Sequence, residues 1–353
     1  MPFCFLPFHT THRHQQLARI FTRLPCHWRS SIHTQTQPSH KLSSNMGAQK
    51  LPSEEGYAQT PLNTIKVYKH RAAYDYQTVH SIFASTLVSH VSFIGIDEEG
   101  DPTPINLPLT AVLGRYDPSH PLPENDNPSE SSYHEDLNCP LDLYLHGNVA
   151  MMLRRAVVKN GTFKVCVAST RVDGVVLNFT PNGHSLNYRS AVIHGTASMV
   201  QGAEEKRFAM HMLTNHMIPH RWSNVNPVTP SAMKSVQIMK VHINSASAKV
   251  RAKNMGLADS VDIAAERDDV YTGVIPLYET LGTPVESGYA PARPVQRHLD
   301  EWIERRNREE KEYAIKAAEN EPEEAETIAE HVLKIAELRK LRGVDAVENG
   351  VTV

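Results

Sequence analysis

Two short stretches of the 353-residue chain carry side chains whose types and spacing could do chemistry. The first is Leu143-Tyr144-Leu145-His146-Gly147, an apolar β-type run that ends in an imidazole and a glycine and leads into a helical pattern. Unpaired backbone N–H groups gather at a helix start and, with the helix dipole, stabilise an anion such as a phosphate. Gly147 at that junction predicts close approach to the anion, although an ordinary strand-to-helix connection has the same spacing. The second is His184-Ser185-Leu186-Asn187-Tyr188-Arg189-Ser190. Its arginine and two serine hydroxyls can grip a phosphate or a polyhydroxy chain through charge-assisted hydrogen bonds. A polar hairpin corner with Tyr188 on the core is the plainer alternative. Ser247-Ala248-Lys249-Val250-Arg251 is a weaker basic candidate, since charged strand ends usually face solvent.

Other chemistries find less support. His211 and His216 fall on different helix faces at a spacing of i to i+5, and Pro219 interrupts the approach to His220, so no metal site is expected. There is no Gly-rich nucleotide loop, no GxSxG elbow and no acid pair at catalytic spacing. A triad of Asp173, His184 and Ser185 fails because neighbouring strand residues point to opposite faces. Cys4, Cys26, Cys139 and Cys166 lack CxxC spacing, which predicts neither a disulfide framework nor a zinc knuckle and suits a reducing compartment.

The elements that must position these residues read as mainly β. Val79, Ile82 and Phe83 predict a helix over Asp75 to Ser85, capped by Asp75. Leu87 to Ile96 reads as a strand, with Ile105 to Leu113 pairing back onto it. Residues 117–141 are polar and read as a disordered insertion. Leu143 to Leu145 is a short strand, followed by a helix over Val149 to Val158 with Asn148 as its N-cap. Asp173-Gly174 predicts a type I′ hairpin between Phe163–Val172 and Val175–Phe179. Tyr188 to Val200 reads as a strand, Ala203 to Met217 as a helix ended by Pro219, and Val236–Ile243 and Gly273–Tyr278 as strands. About seven strands with few helices predict an antiparallel β-barrel with peripheral helices. Pro294 to Leu341 reads as a charged, solvated helical tail laced by Glu301/Arg305, Arg305/Glu309 and Glu312/Lys316 at i,i+4.

A hydrophobic content of 40% supports a real core, while 23 prolines and a mean hydropathy of -0.40 imply polar segments around it. We therefore expect a disordered leader over 1–59, one folded domain over 60–290 and a tail over 291–353. The net charge of -3 is unevenly spread: no Asp or Glu precedes Glu54, whereas Arg13, Arg19, Arg23, Arg29, Lys41 and Lys50 do. Leu17, Ile20, Phe21 and Leu24 lie on one helical face of this leader, as in an amphipathic mitochondrial presequence. The other reading starts the protein at Met46 and leaves it cytoplasmic. The acidic body argues against a nucleic-acid partner. No apolar run approaches the roughly 18 residues of a membrane span, so no membrane partner is expected.

Taken together, Arg71-Ala72-Ala73-Tyr74-Asp75, Leu143–Gly147, Asp173-Gly174-Val175-Val176-Leu177, His184–Ser190, Ser247–Arg251 and Gly273-Val274-Ile275-Pro276 resemble, in order, the pyridoxamine 5′-phosphate oxidase-like split-barrel family. The likeness is to its nitroimidazole-resistance (Nim)-like branch of fungal type. It implies a homodimer of FMN-binding split β-barrels, with FMN in the cleft between subunits and a small-molecule substrate. By position it places His146 near the flavin and Gly147, Arg155, Ser185, Asn187, Tyr188, Arg189, Ser190 and Lys249 among the cofactor-binding residues. The family usually has a Ser and then a basic residue on the FMN phosphate, where this chain has Met151 and Met152. Arg154 lies about 200° around a helix from Met152 and is no simple replacement. Tyr271 stands where relatives commonly have Trp. The implied activity is flavin-dependent oxidoreduction of a small molecule, the alternative a non-catalytic ligand-binding or dimerisation module.

Overall fold

The structure is a computed structural model and describes residues 56–120, 122, 136–148, 151–256, 269–289 and 294–321. The leader up to residue 55 and most of the expected insertion lie outside the described residues. Nine strands among the described residues form one antiparallel sheet. They are β1 (Ala72–Ala73), β2 (Ser89–Ile96), β3 (Pro102–Leu109), β4 (Ala111–Gly114) and β5 (Asp142–Gly147), then β6 (Thr162–Leu177), β7 (Ser185–Met199), β8 (Gln237–Arg251) and β9 (Gly273–Pro276). Their order is β3-β2-β6-β7-β8-β5-β4, with β1 added to β8 and β9 to β6.

Alternating burial along the strands explains why the sheet rolls up. Val165, Val167 and Ser169 on β6 and Ala191, Ile193 and Ala197 on β7 point inward, while the residues between them point out. A single buried cluster joins Phe93 of β2 to Leu113, Leu145, Ile193 and Met239, with Ile105 and Leu107 of β3 packed against it. The two ends of the strand order thus share one core without forming a ladder between β3 and β4, which makes the barrel split. Helix α1 (Tyr76–Ser85) adds Val79, Ile82 and Phe83 to this core, and α2 (Met152–Asn160) adds Leu153 and Val157. Outside the barrel, α3 (Ala203–Met217) covers Tyr144 and Ile238 with Phe208, Ala209 and Leu213. The Asp75 carboxylate accepts from Thr78 N at 2.7 Å, the N-cap expected for α1.

Several expectations need correction. Ile105 to Leu113 is two strands: β3 pairs with β2, but β4 crosses over to pair with β5, because Ala111 and Leu113 belong to the core on the far side. Asp173-Gly174 is not a hairpin turn. β6 runs straight through it with a bulge at Asp173, and the turn to β7 lies around Pro181–Gly183. Asp173 is buried and bonded to Arg189, and β9 lies so close to Gly174 that an added Cβ would come within 2.8 Å of Val274. Buried ion pairing and strand addition override the local turn signal. Helix α2 begins at Met152 with Met151, not Asn148, at its N-cap and no side chain capping it; the Asn148 carbonyl accepts from Met151 N, and Val149, where the helix was expected to start, lies outside the described residues.

The C-terminal helix α5 (Arg297–Glu319) is charged as expected but is no solvated tail. Ala314, Ala317 and Ala318 are buried, Asn320 bonds the 252–254 backbone, and Asn307 bonds both backbone atoms of Leu281. Of the three expected pairs only Arg305–Glu309 forms, at 4.0 Å, and Arg297–Glu301 adds another at 2.6 Å. Residues 136–141 of the expected insertion are tied down: Leu141 is buried, and the Leu137 carbonyl accepts from His80. No helix among the described residues is long and apolar enough to cross a membrane.

Candidate functional site

The sequence candidates fall into three groups. At the end of β5, His146 projects into solvent and bonds no other described side chain. Gly147 is buried, and an added Cβ would lie 2.9 Å from the Met151 methyl and 3.3 Å from that of Met239. The glycine therefore serves packing of two thioethers, and the anion approach expected over it is filled. Arg155 is exposed on α2, while Arg154 donates to Gln237 at 3.0 Å.

The motif on β7 divides by strand parity. Asn187 and Arg189 turn inward, where α5 closes the end of the barrel. Arg189 makes two hydrogen bonds to Asp173, at 2.7 and 3.1 Å, and its guanidinium sits 3.7 Å from the Tyr313 ring centre. Arg171, directly opposite Arg189, bonds Glu310 of α5, Glu279 at 3.0 Å and the Ser85 carbonyl at 3.2 Å. Burial opposes the charge on Arg189, but the Asp173 hydrogen bonds and charge outweigh it and hold the guanidinium above its ordinary value. Asn187 donates to the Ala317 carbonyl and accepts from Arg251. Asn187 and Arg189 are thus held within the chain where α5 packs, by Ala317 and Tyr313 of α5 and by Asp173 and Arg251 of the barrel.

Tyr188, Ser190 and Lys249 belong to the outer face of the sheet, and Ser185 is exposed at the hairpin mouth. Ser190 and Lys249 are direct neighbours, and Ser190 Oγ donates to the Lys249 carbonyl at 3.1 Å. β1 pairs Ala72 with Lys249 on its other side, bringing the preceding loop onto this face. There the Tyr68 ring lies 4.2 Å from the Arg71 guanidinium and 5.5 Å from Lys249 Nζ. Tyr68 escaped the sequence reading, though the basic run around it was a visible signal.

These groups do not meet within one chain. His146 is opposite Ile238 and Ser190 is opposite Lys249, so eleven residues of β8 separate them. At about 3.3 Å per residue that is about 36 Å of strand. The histidines weighed as metal ligands also part: His211 faces Asn215 and Trp222, whereas His216 Nε2 donates to the Thr86 carbonyl at 2.9 Å. Among the described residues no group of three or more potential metal ligands converges.

Residues 75–250 match the family model described as pyridoxamine 5′-phosphate oxidase. The fold is similar to that of the flavocytochrome Anf3 from Azotobacter vinelandii, at 23% identity over 69% of this chain and 97% of that one, with a TM-score of 0.52. It is also similar to a FAD- and heme-binding protein from Mycobacterium smegmatis, at 20% identity over 66% of this chain and 97% of that one, with a TM-score of 0.51. No curated protein matches the chain significantly in sequence.

Proposed function

With residues 75–250 carrying the pattern and the split-barrel fold of the pyridoxamine 5′-phosphate oxidase-like family, we propose that this protein is a flavin-dependent oxidoreductase acting on a small molecule. The finer reading is FMN as the flavin, a homodimer as the working unit and kinship with the Nim-like branch. When bound, the flavin supplies the electron transfer itself, and the protein binds and orients it.

The observation that carries this reading is the separation of the two donor sets on β8. His146 and Arg155 at one end, and Tyr188, Ser190 and Lys249 at the other, cannot enclose one ligand within a protomer. A second copy, with its sheet face turned to the first, brings one set against the other and gives a planar anionic cofactor both an imidazole and a cationic, hydroxyl-bearing wall. The donor set suits such a ligand: an ammonium for phosphate, a hydroxyl and a phenol for the polyol, and an exposed imidazole to donate to a ring heteroatom or hold a substrate proton. Asn187 and Arg189 contribute indirectly, by fixing β7 beneath Tyr188 and Ser190.

Purified full-length protein titrated with FMN and with FAD tests this. The expected result is one flavin per protomer with a perturbed visible spectrum, and a dimer by light scattering. Absence of binding at micromolar flavin refutes it. A second reading, a split barrel that binds a ligand or partner without turnover, is favoured by the Met151 thioether over Gly147, which leaves no cation at the N-cap of α2. Bound flavin that no two-electron donor reduces is the result that distinguishes it.

A further inference from the structure

We propose that the Lys66–Arg71 loop and Lys249 form a site for the phosphate of a nucleotide-type ligand on the outer face of β8. The loop reads Lys66-Val67-Tyr68-Lys69-His70-Arg71, and no Asp or Glu occurs from Gly56 to Tyr74, in a chain whose net charge is -3. Like charges crowded on one loop repel, so a cluster without interspersed acid is arranged for an anion. Lys66, Lys69 and Lys249 pair with no described carboxylate.

The cluster is built rather than loose. Asn63 is buried at one end of the loop, donating to the Ala246 carbonyl of β8 at 2.8 Å and to the Ala58 carbonyl at 3.0 Å. At the other end β1 fastens Ala72 opposite Lys249. Between these anchors Tyr68 has φ 53° and ψ 60°, a left-handed conformation that a bulky side chain adopts only when its surroundings impose it. Tyr68 is 56% exposed, and its ring lies against both the Arg71 guanidinium and the Lys249 ammonium. The exposed ring keeps the Lys249 ammonium at the edge of solvent, where it and the exposed Lys66 and Lys69 of the same loop are open to phosphate oxygens. The start of α2, where the sequence pattern predicted an anion, presents Met151 and Met152 instead.

Which nucleotide occupies the site rests on the flavin reading: its phosphate belongs either to the flavin or to a dinucleotide electron donor. The experiment measures Kd for inorganic pyrophosphate, FMN, riboflavin and NADPH by calorimetry. It uses the full chain, Lys249→Gln, and a Lys66→Gln/Lys69→Gln variant whose exposed side chains put folding at no risk. A rise of about tenfold or more in the FMN Kd of K249Q, with riboflavin unchanged, assigns the site to the flavin phosphate. Weaker NADPH binding with FMN unchanged assigns it to the donor. Pyrophosphate binding that falls in both variants, in a protein that binds no flavin, supports the site while removing the flavin reading. Unchanged affinities for pyrophosphate, FMN and NADPH in both variants, or wild-type protein that binds none of the four, overturn the proposal.

Discussion

The docking of α5 rests on Glu310, and replacing it by alanine tests that docking directly. Glu310 is 12% exposed by side chain and bonds Arg171, which is 6% exposed; it also lies 3.7 Å from Arg189. Arg171 and Arg189 are cross-strand neighbours, the first buried and the second partly buried, and Glu310 adds a negative charge between them. Removing one partner of a buried ion pair costs about 3–5 kcal/mol, because the other charge stays desolvated. Asp173 still holds Arg189, and Glu279 still bonds Arg171, but Glu279 is 71% exposed and its charge is screened by solvent. We therefore expect Glu310→Ala to fall at the lower end, a loss of about 3 kcal/mol, with Glu310→Gln losing less because it keeps a hydrogen-bond acceptor. Urea denaturation followed by far-UV circular dichroism reads this as a drop in midpoint. Glu279→Gln is the control and should lose under about 1 kcal/mol. Equal midpoints for the Glu310 and Glu279 variants would refute the reasoning, since the buried position of Glu310 is what separates them.

Two further outcomes follow from buried groups. Burial lowers His80 and His216 below the ordinary imidazole value; each binds protons more readily when unfolded, so stability should be full above about pH 6.5 and fall as pH drops from there toward the folded values. Replacing His80, whose Nδ1 donates to the Leu137 carbonyl while Nε2 accepts from Tyr57, by glutamine should flatten that slope in denaturation midpoints taken from pH 7.5 to 5; an unchanged slope would discount His80 as a source of it. Gly195→Ala places a Cβ 2.4 Å from Val241 Cγ1 and 2.7 Å from the His242 carbonyl oxygen at the β7–β8 bulge. It should lose about 1–3 kcal/mol in the same assay, and a neutral result would show that the bulge gives way.

Local pattern made the mainly β architecture, α1 with its Asp75 cap, and the strands β2 and β7 legible, because each rests on periodicity and capping within a few residues. The same rules failed at Asp173-Gly174. Nothing within five residues announces that Asp173 will be buried against Arg189, sixteen positions away, or that β9 will lie across Gly174. They failed again for α5, whose sparse alanines look like helix filler until Ala314, Ala317 and Ala318 meet the barrel end. The candidate site was legible as a set of residue types but not as a place.

The amino-acid sequence by itself determined the chemistry on offer: an imidazole at His146, a polar motif at residues 184–190, Lys249, and a basic stretch free of acid over residues 56–74. Tertiary structure alone decided which of these face one another. Strand parity turned Asn187 and Arg189 toward α5 and left Tyr188 and Ser190 outside, and β8 set His146 and Lys249 eleven residues apart. The reason is physical: composition fixes which charges and hydrogen bonds exist, whereas sheet register and burial fix which of them must be satisfied within the chain and which remain for a ligand.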